Sequence, residues 1–511
     1  MALHLSLPHT DAEHDHQGTV APESVPAWLT KLSLADPVRA GRSIAEQLLA
    51  LNGQRVRITL RQDLNENFFP VVQRVLATLE RTVDSGALPL PPDSRVAAKI
   101  AEDLLTQLTA SYKLLLVEQS RRLFGFASSG RALLPIQRTM LLLSQRLVLA
   151  YRIYSTPPKG LWTELHDLYQ FAARRGLSQR ELDPSSPTPL SIYKSTLLVA
   201  FADPQRLVHG DLDVVMALVS RFGDRAQVGV AQDRHTPQGV FVIKPQRDVA
   251  GYSVSKRHQP SPQGHDLVLN TLPVADAILA ELSKLTIVEP GAGLTVEATP
   301  ESIGLPKGTD PVRAKDLLGR LVKQWGAMPN RRFNRLRTHA RVEICVGIPD
   351  IWAFLRGEPG TVGVPAEWMV TNESENGFAL MHASGPIAAV RVGEVVGIRA
   401  RDSRTCHVCV VRWVLSDNPE HLELGLEELA RNARPAQARK VCDGDGAPVP
   451  VLLLPESPEQ GKASSIVAPL AMLDATCELS VGELQAKLRV RPTHTVERTG
   501  SVQVSNFNSV T

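Results

Sequence analysis

Hydrophobic and polar positions follow two different periods along this chain. From about residue 35 to 225, apolar residues recur every three or four positions, which is the spacing of amphipathic helices. One apolar stripe in the stretch AEDLLTQLTASYKLLLVEQSRRLF consists of Leu104, Leu108, Tyr112 and Leu115. The helical segments have short connections and no fixed repeat period, so they predict a helical bundle rather than a repeat array.

Between about residues 226 and 300 the pattern becomes mixed. The stretch AQVGVAQDRHTPQGVFVIKP contains two short β-branched runs around a Pro-Gln-Gly turn, which predicts a β-hairpin. A helix is predicted over LPVADAILAELSKL and a loop over VEPGAGLTVEATPES. The next stretch, DPVRAKDLLGRLVKQWG, predicts one more helix, because an Asp-Pro pair is typical of a helix start.

From residue 342 apolar positions alternate with polar ones, as they do in strands with one buried face. The apolar set in RVEICVGI is Val342, Ile344, Val346 and Ile348. Further runs of this kind, up to GLEEL at 425–429, predict an antiparallel meander that closes into a small barrel or sandwich. We expect a break at NARPAQARKVCDGDGAP and then a second β stretch, over about 448–508.

A chain of 511 residues is too long for one hydrophobic core. We therefore predict an α+β multidomain protein, with an all-helical N-terminal bundle, an antiparallel β-barrel and a C-terminal β extension. The predicted divisions are a disordered tail (1–30), a helical domain (31–225), a small mixed β/α segment (226–300), a connecting helix (301–326), the barrel (327–432) and a C-terminal β module (433–511).

Composition and charge exclude several classes of protein. A hydrophobic content of 43%, a charged content of 21% and a net charge of only +3 describe an ordinary globular chain without a general affinity for nucleic acid. The five cysteines lack the spacing of a disulfide framework. No apolar run is long enough to span a bilayer, and the N-terminus shows no signal-peptide pattern. We expect a cytoplasmic protein without a membrane span.

Catalytic and metal-binding motifs are missing from the sequence. Cys406 and Cys409 have the spacing of half a zinc site, but on a strand their side chains would point to opposite faces. Trp162, His166 and Tyr169, at helical spacing, are interpreted as core. No nucleophile elbow, phosphate-binding loop, zinc-protease motif or dinucleotide fingerprint occurs. The sequence predicts neither an enzyme nor a metal site, and no cofactor.

The stretch NRRFNRLRTHAR, residues 330–341, contains five arginines, and no acid lies between Leu317 and Val342. Its first RxxxR pair, Arg331 and Arg335, lies in a loop ahead of the first predicted strand of the barrel. A second pair, Arg337 and Arg341, runs into that strand, so the first pair is preferred. Arginine forks bind phosphate oxygens bidentately and also match the O6/N7 edge of guanine. A solvated basic linker would have the same composition, so the stretch alone does not establish a binding site.

A second polar motif follows, Asn372-x-Ser374-x-x-Gly377 in VTNESENGFAL, at a turn that enters the next β stretch. Asn and Ser offer short hydrogen-bonding groups for a base edge, and Gly permits close backbone approach or positive φ. The same residues are common in ordinary turns. Together the two motifs indicate a ligand that carries both phosphates and guanines.

The order of these motifs resembles the PilZ family of bacterial cyclic di-GMP receptors. Members of that family carry RxxxR before the first strand and (D/N)xSxxG after it. A hydrophobic strand ending in Trp and a final Gly-hydrophobic-acidic strand follow, here at Trp413 and at GLEEL. The resemblance covers about residues 327–432. The segment PDIWAFLRGEPGTVGVPAEW between the motifs is longer than usual, which predicts an inserted loop.

The resemblance implies roles for five residues. Arg331 and Arg335 would contact ligand phosphates and guanine faces, Asn372 and Ser374 would bind a guanine edge, and Gly377 would shape the turn. The expected function is that of a cytoplasmic cyclic di-GMP receptor, with an unidentified protein partner bound through the helical domain. The alternative is a ligand-blind adaptor that uses the barrel as an interaction scaffold. A DNA- or RNA-binding module has only the arginines in its favour.

Overall fold

The structure is a computed structural model. It describes residues 3, 5–7, 21–83, 86–121, 130–231, 238–254, 264–285, 299–326, 336–337, 339–357, 366–400, 403, 405–418, 421–441, 447–457, 461–470, 472–473, 478–482 and 487–510. None of the helices in these ranges is long and apolar enough to cross a membrane.

Eight α-helices in the described ranges make up the N-terminal part, as the apolar periodicity predicted. They are α1 (Val25–Lys31), α2 (Pro37–Gly53), α3 (Ile58–Val83), α4 (Pro92–Arg121), α5 (Leu133–Arg152), α6 (Leu161–Arg174), α7 (Pro189–Phe201) and α8 (Asp211–Phe222). One hydrophobic cluster joins α1 to α4, and another begins at the end of α4 and runs through α8. Helix α1 begins within the segment for which the sequence predicted a disordered tail, 1–30, and its Val25 and Leu29 are buried.

A small antiparallel sheet follows the helices. Its strands are β1 (Gln227–Val230), β2 (Val240–Ile243), β3 (Tyr252–Ser253) and β4 (Leu267–Asn270), in the order β1-β4-β2-β3. The predicted hairpin of β1 with β2 is therefore wrong, because both strands pair with β4. All four residues of β2 are buried, whereas β1 is largely exposed, so β2 takes an interior place and β1 an edge.

Two further helices, α9 (Leu272–Leu282) and α10 (Pro311–Trp325), pack into the second helical cluster. The Asp-Pro start of α10 is confirmed: the Asp310 side chain accepts a hydrogen bond of 2.8 Å from the backbone N–H of Arg313. At its other end Trp325 is fully buried. Helix α10 thus belongs to the core of the N-terminal part.

The first barrel is built from residues 336–431. Its strands are β5 (Leu336–Arg337), β6 (Arg341–Val346), β7 (Ala366–Ser374), β8 (Gly377–Ser384), β9 (Val395–Ala400), β10 (His407–Asn418) and β11 (His421–Arg431). The order is β5-β7-β6-β9-β10-β11-β8, and a further β7–β8 pairing closes six of these strands into a ring. The barrel was predicted, but the simple meander was wrong, because β6 pairs with β9 and β8 with β11.

The two sequence features at the end of this barrel lie directly opposite each other. Trp413 of β10 pairs in register with Gly425 of β11. A Cβ atom at position 425 would lie only 1.7 Å from Nε1 of the Trp413 ring. Glycine is required there because the indole occupies the space of its side chain.

A second closed barrel forms the C-terminal part, consistent with the predicted β extension. Its strands are β12 (Arg434–Lys440), β13 (Val449–Leu454), β14 (Ser465–Pro469), β15 (Leu479–Gly482), β16 (Lys487–Arg498) and β17 (Val502–Ser509), in the ring order β12-β13-β14-β17-β16-β15. Strand β12 lies where the sequence predicted a break. Its buried positions are the alanines Ala436 and Ala438, whose low hydrophobicity conceals the alternation.

The long segment between β6 and β7 contains a helix, α11 (Ile348–Arg356), where a loop was expected. Ile348 and Ile351 are buried in a cluster that also contains residues of both barrels, such as Val395 and Leu452. Trp352 donates a hydrogen bond of 2.9 Å from Nε1 to the carbonyl oxygen of Ala436. The insertion therefore attaches the first barrel to the second.

The helical part and the first barrel also share a core. Leu88 and Tyr154 lie in the same hydrophobic cluster as the interior of the barrel. Leu88 forms a β-bridge with Val390, and the backbone N–H of Ser416 donates to the carbonyl oxygen of Tyr154 at 2.9 Å. These contacts fix the barrel against the helices without involving the arginine stretch.

Candidate functional site

The second polar motif lies at the tip of the hairpin formed by β7 and β8. Ser374 is the last residue of β7 and pairs with Gly377, the first residue of β8, so that a two-residue turn joins them. Asn372 precedes this pair on β7 and is opposite Ala379. The three predicted residues are thus brought together by strand pairing.

A bulge changes the alternation of β7 just before the motif. Val370 pairs with Leu380 and Asn372 with Ala379, which leaves Thr371 as an extra residue. The Thr371 hydroxyl donates a hydrogen bond of 3.1 Å to the carbonyl oxygen of Ala379. Without the bulge Asn372 would continue the buried series of the barrel interior. With it, Asn372 is only half-buried and can meet a ligand.

The hydrogen-bonding groups of the motif retain spare capacity. The Ser374 hydroxyl donates to the carbonyl oxygen of Gly377 at 3.2 Å, which leaves its own lone pairs free to accept. No other residue in the described ranges hydrogen-bonds to the side-chain amide of Asn372. This amide can offer both a donor and an acceptor to a base edge.

Gly377 is required by close approach, one of the two reasons expected from the sequence. It pairs with Glu427 of β11, and a Cβ atom there would lie 2.1 Å from the carbonyl oxygen of Leu426. Its φ is not positive. A side chain at this position would therefore force β8 away from β11.

The first motif, Arg331 and Arg335, lies outside the described residues. Strand β5 begins at the residue that follows Arg335, and it pairs with the second motif: Leu336 is opposite Glu373, and Arg337 is opposite Asn372. The next strand in the chain, β6, also pairs with β7. The segment that leaves the first motif is therefore held against the second.

An ion cluster adjoins the motif on its β11 side. The Arg412 guanidinium contacts Glu427 at 2.6 Å and forms a bidentate pair with Glu497 of the second barrel. Burial alone would lower the pKa of Arg412, but Glu497 and Glu427 hold that pKa above the usual arginine value. Because Glu427 is opposite Gly377, this cluster connects the motif with the second barrel.

The features that sequence reasoning interpreted as structural are buried. His166 is fully buried, with Nδ1 2.8 Å from the Tyr193 hydroxyl and Nε2 3.0 Å from the carbonyl oxygen of Val249, and burial lowers its pKa to about 4. Cys409 lies in the barrel core, and burial raises the pKa of its thiol. In the described ranges no three side chains are grouped as metal ligands would be.

Comparison with known proteins agrees with this geometry. Residues 365–435 match the family described as cyclic-di-GMP receptor FimW, middle PilZ domain, and residues 23–233 match its N-terminal domain. The cyclic-di-GMP receptor FimW of Pseudomonas aeruginosa strain PAO1 is 23% identical over 526 aligned positions, which cover 88% of this chain and 84% of that protein. The matched PilZ region contains the second motif but begins after Arg331 and Arg335.

The barrel with its motif at the β7–β8 tip is thus a PilZ domain, as the sequence resemblance indicated. Together with the N-terminal match and the relative of similar length, it identifies the chain as a member of the FimW family. That family is described as one of receptors rather than of enzymes.

Sequence reasoning missed three residues beside the motif. Thr371 is the extra residue of the bulge, and Arg412 with Glu427 forms the neighbouring ion cluster. The alternation of GLEEL does place Glu427 outside the barrel, but only the β8–β11 register shows that it lies next to Gly377.

The substitution Gly377→Ala tests the close approach of β8 to β11. We expect it to destabilise the first barrel by about 1–3 kcal/mol, because the clash is with a backbone oxygen that no rotamer change relieves. Hydrogen exchange of the β8 and β11 amides should become faster. Gly229→Ala on β1 is the control, since its nearest neighbour would be an ordinary contact at 3.8 Å. Equal exchange in both variants would contradict the packing argument.

Proposed function

We propose that this chain is a cytoplasmic receptor that binds cyclic di-GMP at Arg331, Arg335, Asn372, Ser374 and Gly377. The observation that carries the proposal is the pairing of β5 with the end of β7. Leu336 and Arg337, which follow Arg335, pair with Glu373 and Asn372, so a ligand at the hairpin tip would lie beside the strand that continues from the first motif. The unpaired cysteines Cys345, Cys406 and Cys409 fit a reducing compartment.

The two motifs have complementary tasks in this proposal. Arginine contacts of the charge-assisted kind contribute roughly 1.5–3 kcal/mol each. Micromolar affinity requires about 8 kcal/mol, so two arginines alone fall short once ordering costs are included. Hydrogen bonds to a base edge, worth about 1–3 kcal/mol per good bidentate pair, supply the remainder. Asn372 and Ser374 offer these groups and would also distinguish guanine from adenine.

The relative supports the same function. The Pseudomonas aeruginosa protein is named as a cyclic-di-GMP receptor, and the alignment extends over most of both chains. We also propose that the chain passes the state of its barrel to a partner protein. We propose that it does so through the helical domain, because α10 leads directly into the arginine stretch.

Helix α10 is suited to that task by its contacts. Arg313 and Arg320 both pair with the buried Asp211 at the start of α8, at 2.8 and 3.0 Å. Leu317, Leu318 and Leu321 lie in the helical core. A ligand bound at Arg331 and Arg335 would therefore act on a helix that is already tied to the N-terminal part. The ligand can shift such an equilibrium only through different affinities for its two states.

The first prediction concerns affinity. In calorimetric titration of the full-length chain with cyclic di-GMP, Arg331→Ala and Arg335→Ala should each weaken binding at least about tenfold, the equivalent of about 1.4 kcal/mol. Arg341→Ala is the matched control, because this arginine is exposed and its one ion pair in the described ranges is a long one, 3.6 Å from Glu367. Undiminished binding in the double variant would refute the assigned arginines. No binding by the unaltered chain would favour the ligand-blind adaptor.

The second prediction concerns base selectivity. If Asn372 and Ser374 bind the guanine edge, their alanine variants should lose the preference for cyclic di-GMP over cyclic di-AMP. Glu375→Ala, in the same turn and exposed, should keep it. Competition titrations with both dinucleotides measure the ratio. Full selectivity in folded Asn372→Ala and Ser374→Ala variants would show that the motif is only a turn.

The third prediction concerns coupling. Cyclic di-GMP should slow amide hydrogen exchange over residues 326–341 and also alter exchange in α8 and α10. Arg320→Gln removes one link to Asp211, so it should reduce the change in α8 while leaving the ligand affinity within about threefold. Tight binding with protection confined to the barrel would show that the helical domain acts independently.

A further inference from the structure

A cavity of about 680 Å³ lies where the three parts of the molecule meet. Helix α10 and the start of α8 form one wall. The first barrel contributes the segments at Gly393 and Arg412, and the β16–β17 hairpin of the second barrel forms the remaining side. We call this space the junction cavity. Its volume is in the range of small-molecule sites, about 300–1,000 Å³.

Positive charge is in excess in the junction cavity. Seven arginines and lysines line it, against four carboxylates. Three of these carboxylates are neutralised: Asp211 by two arginines of α10, and Glu427 and Glu497 by Arg412. The fourth, Asp316, forms no ion pair in the described ranges. Burial raises the pKa of Asp316, although Arg320, Lys315 and Arg498 act in the opposite direction.

Two lysines of the cavity have no ion-pair partner among the residues that the structure describes. Lys315 and Lys323 are exposed, and within the described ranges no carboxylate lies at ion-pair distance from either amino group. They are eight residues apart on α10, so they lie on the same side of the helix. Arg498 of the β16–β17 hairpin is held only loosely, 3.9 Å from Asp310.

Gly319 lies midway between the two lysines. Glycine in a helix interior is less favourable than alanine, and here neither packing nor φ requires it. A Cβ atom at this position would meet nothing within 4 Å. The glycine leaves the floor of the cavity open between Lys315 and Lys323.

The opposite wall is held in place by tight contacts. A Cβ atom on Gly500, at the hairpin tip, would lie 2.9 Å from Cγ1 of Val208 in the helical part. On the other side, a Cβ atom on Gly393 of the first barrel would lie 3.0 Å from Cβ of Thr499. The hairpin tip thus packs between the helical part and the first barrel, and these contacts fix the position of the hairpin that contains Arg498.

We propose that the junction cavity is a binding site for a phosphate-bearing anion, held by Lys315, Lys323 and Arg498. Lysine binds phosphate as a compact point charge, and excess cations in a cleft between low-dielectric walls concentrate positive potential. The site uses none of the five residues proposed for cyclic di-GMP. The anion is either a separate phosphorylated metabolite or part of cyclic di-GMP itself.

Titration with inorganic pyrophosphate, using the full-length chain at physiological ionic strength, tests this site. The double variant Lys315→Gln/Lys323→Gln should weaken binding at least about tenfold. Gly319→Met keeps every charge but fills the floor, and it should weaken binding to a similar degree. Asp316→Asn removes the unpaired carboxylate and should strengthen binding.

Two variants serve as controls. Gly319→Ala adds only a methyl group where there is open space, and it should bind pyrophosphate like the unaltered chain. Lys307→Gln removes a lysine that does not line the cavity and should also leave binding unchanged. Thermal unfolding of each variant verifies that the fold is intact.

Several outcomes would overturn the proposal. These are no binding of pyrophosphate at millimolar concentration, undiminished binding in the two-lysine variant or in Gly319→Met, or loss of binding in Arg331→Ala/Arg335→Ala alone. If pyrophosphate binds as expected, adding cyclic di-GMP distinguishes the sources: competition means that its phosphates enter the cavity, and independent binding means a separate anion. Failure of cyclic di-GMP to bind at all would refute the proposed function but not this site.

Discussion

The pairing of β8 with β11 in the first barrel is the constraint on which the rest of the structure depends. At its tightest point, backbone meets backbone at Gly377, where a methyl group would already overlap the carbonyl oxygen of Leu426. This contact fixes the hairpin tip with Asn372 and Ser374, and it fixes Glu427 beside that tip. Glu427 in turn holds Arg412, and Arg412 holds Glu497 of the second barrel. One pairing therefore aligns the candidate site with the contact between the barrels.

Periodicity in the sequence was sufficient for the kinds of elements but not for their partners. The spacing of residues alone predicted the helical domain, the Asp-capped α10 and the two strand-rich regions. Alternation shows which residues of a strand are buried, yet it is the same whichever strand lies alongside. The predicted β1–β2 hairpin was wrong for this reason, because both strands pair with β4, which comes later in the chain. The simple meander was wrong because the β6–β9 and β8–β11 pairs join strands that are distant in the chain.

In the candidate site, too, local features could be predicted from the sequence, whereas features that depend on strand pairing could not. The types and spacing of Asn372, Ser374 and Gly377 were sufficient to predict a turn that enters a strand, because Asn, Ser and Gly are the usual turn residues. The bulge at Thr371 could not be predicted, since it arises from a mismatch between two registers. Strand β12 was missed because its inward residues are small. Helix α11 was missed because it is a short apolar helix within a strand-rich region.

Arginine and lysine have different tasks around the junction cavity, and the difference follows from their chemistry. Arg412 binds both oxygens of Glu497 with its planar fork, and Arg313 and Arg320 each bind one oxygen of the buried Asp211. These pairs attach α10 to α8 and one barrel to the other, so their charge is already used. The charges of Lys315 and Lys323, on the open side of α10, are not used in this way. An anion that enters the cavity therefore meets lysine charge on a rigid framework held together by arginine, and it can bind without breaking the contacts that hold the three parts together.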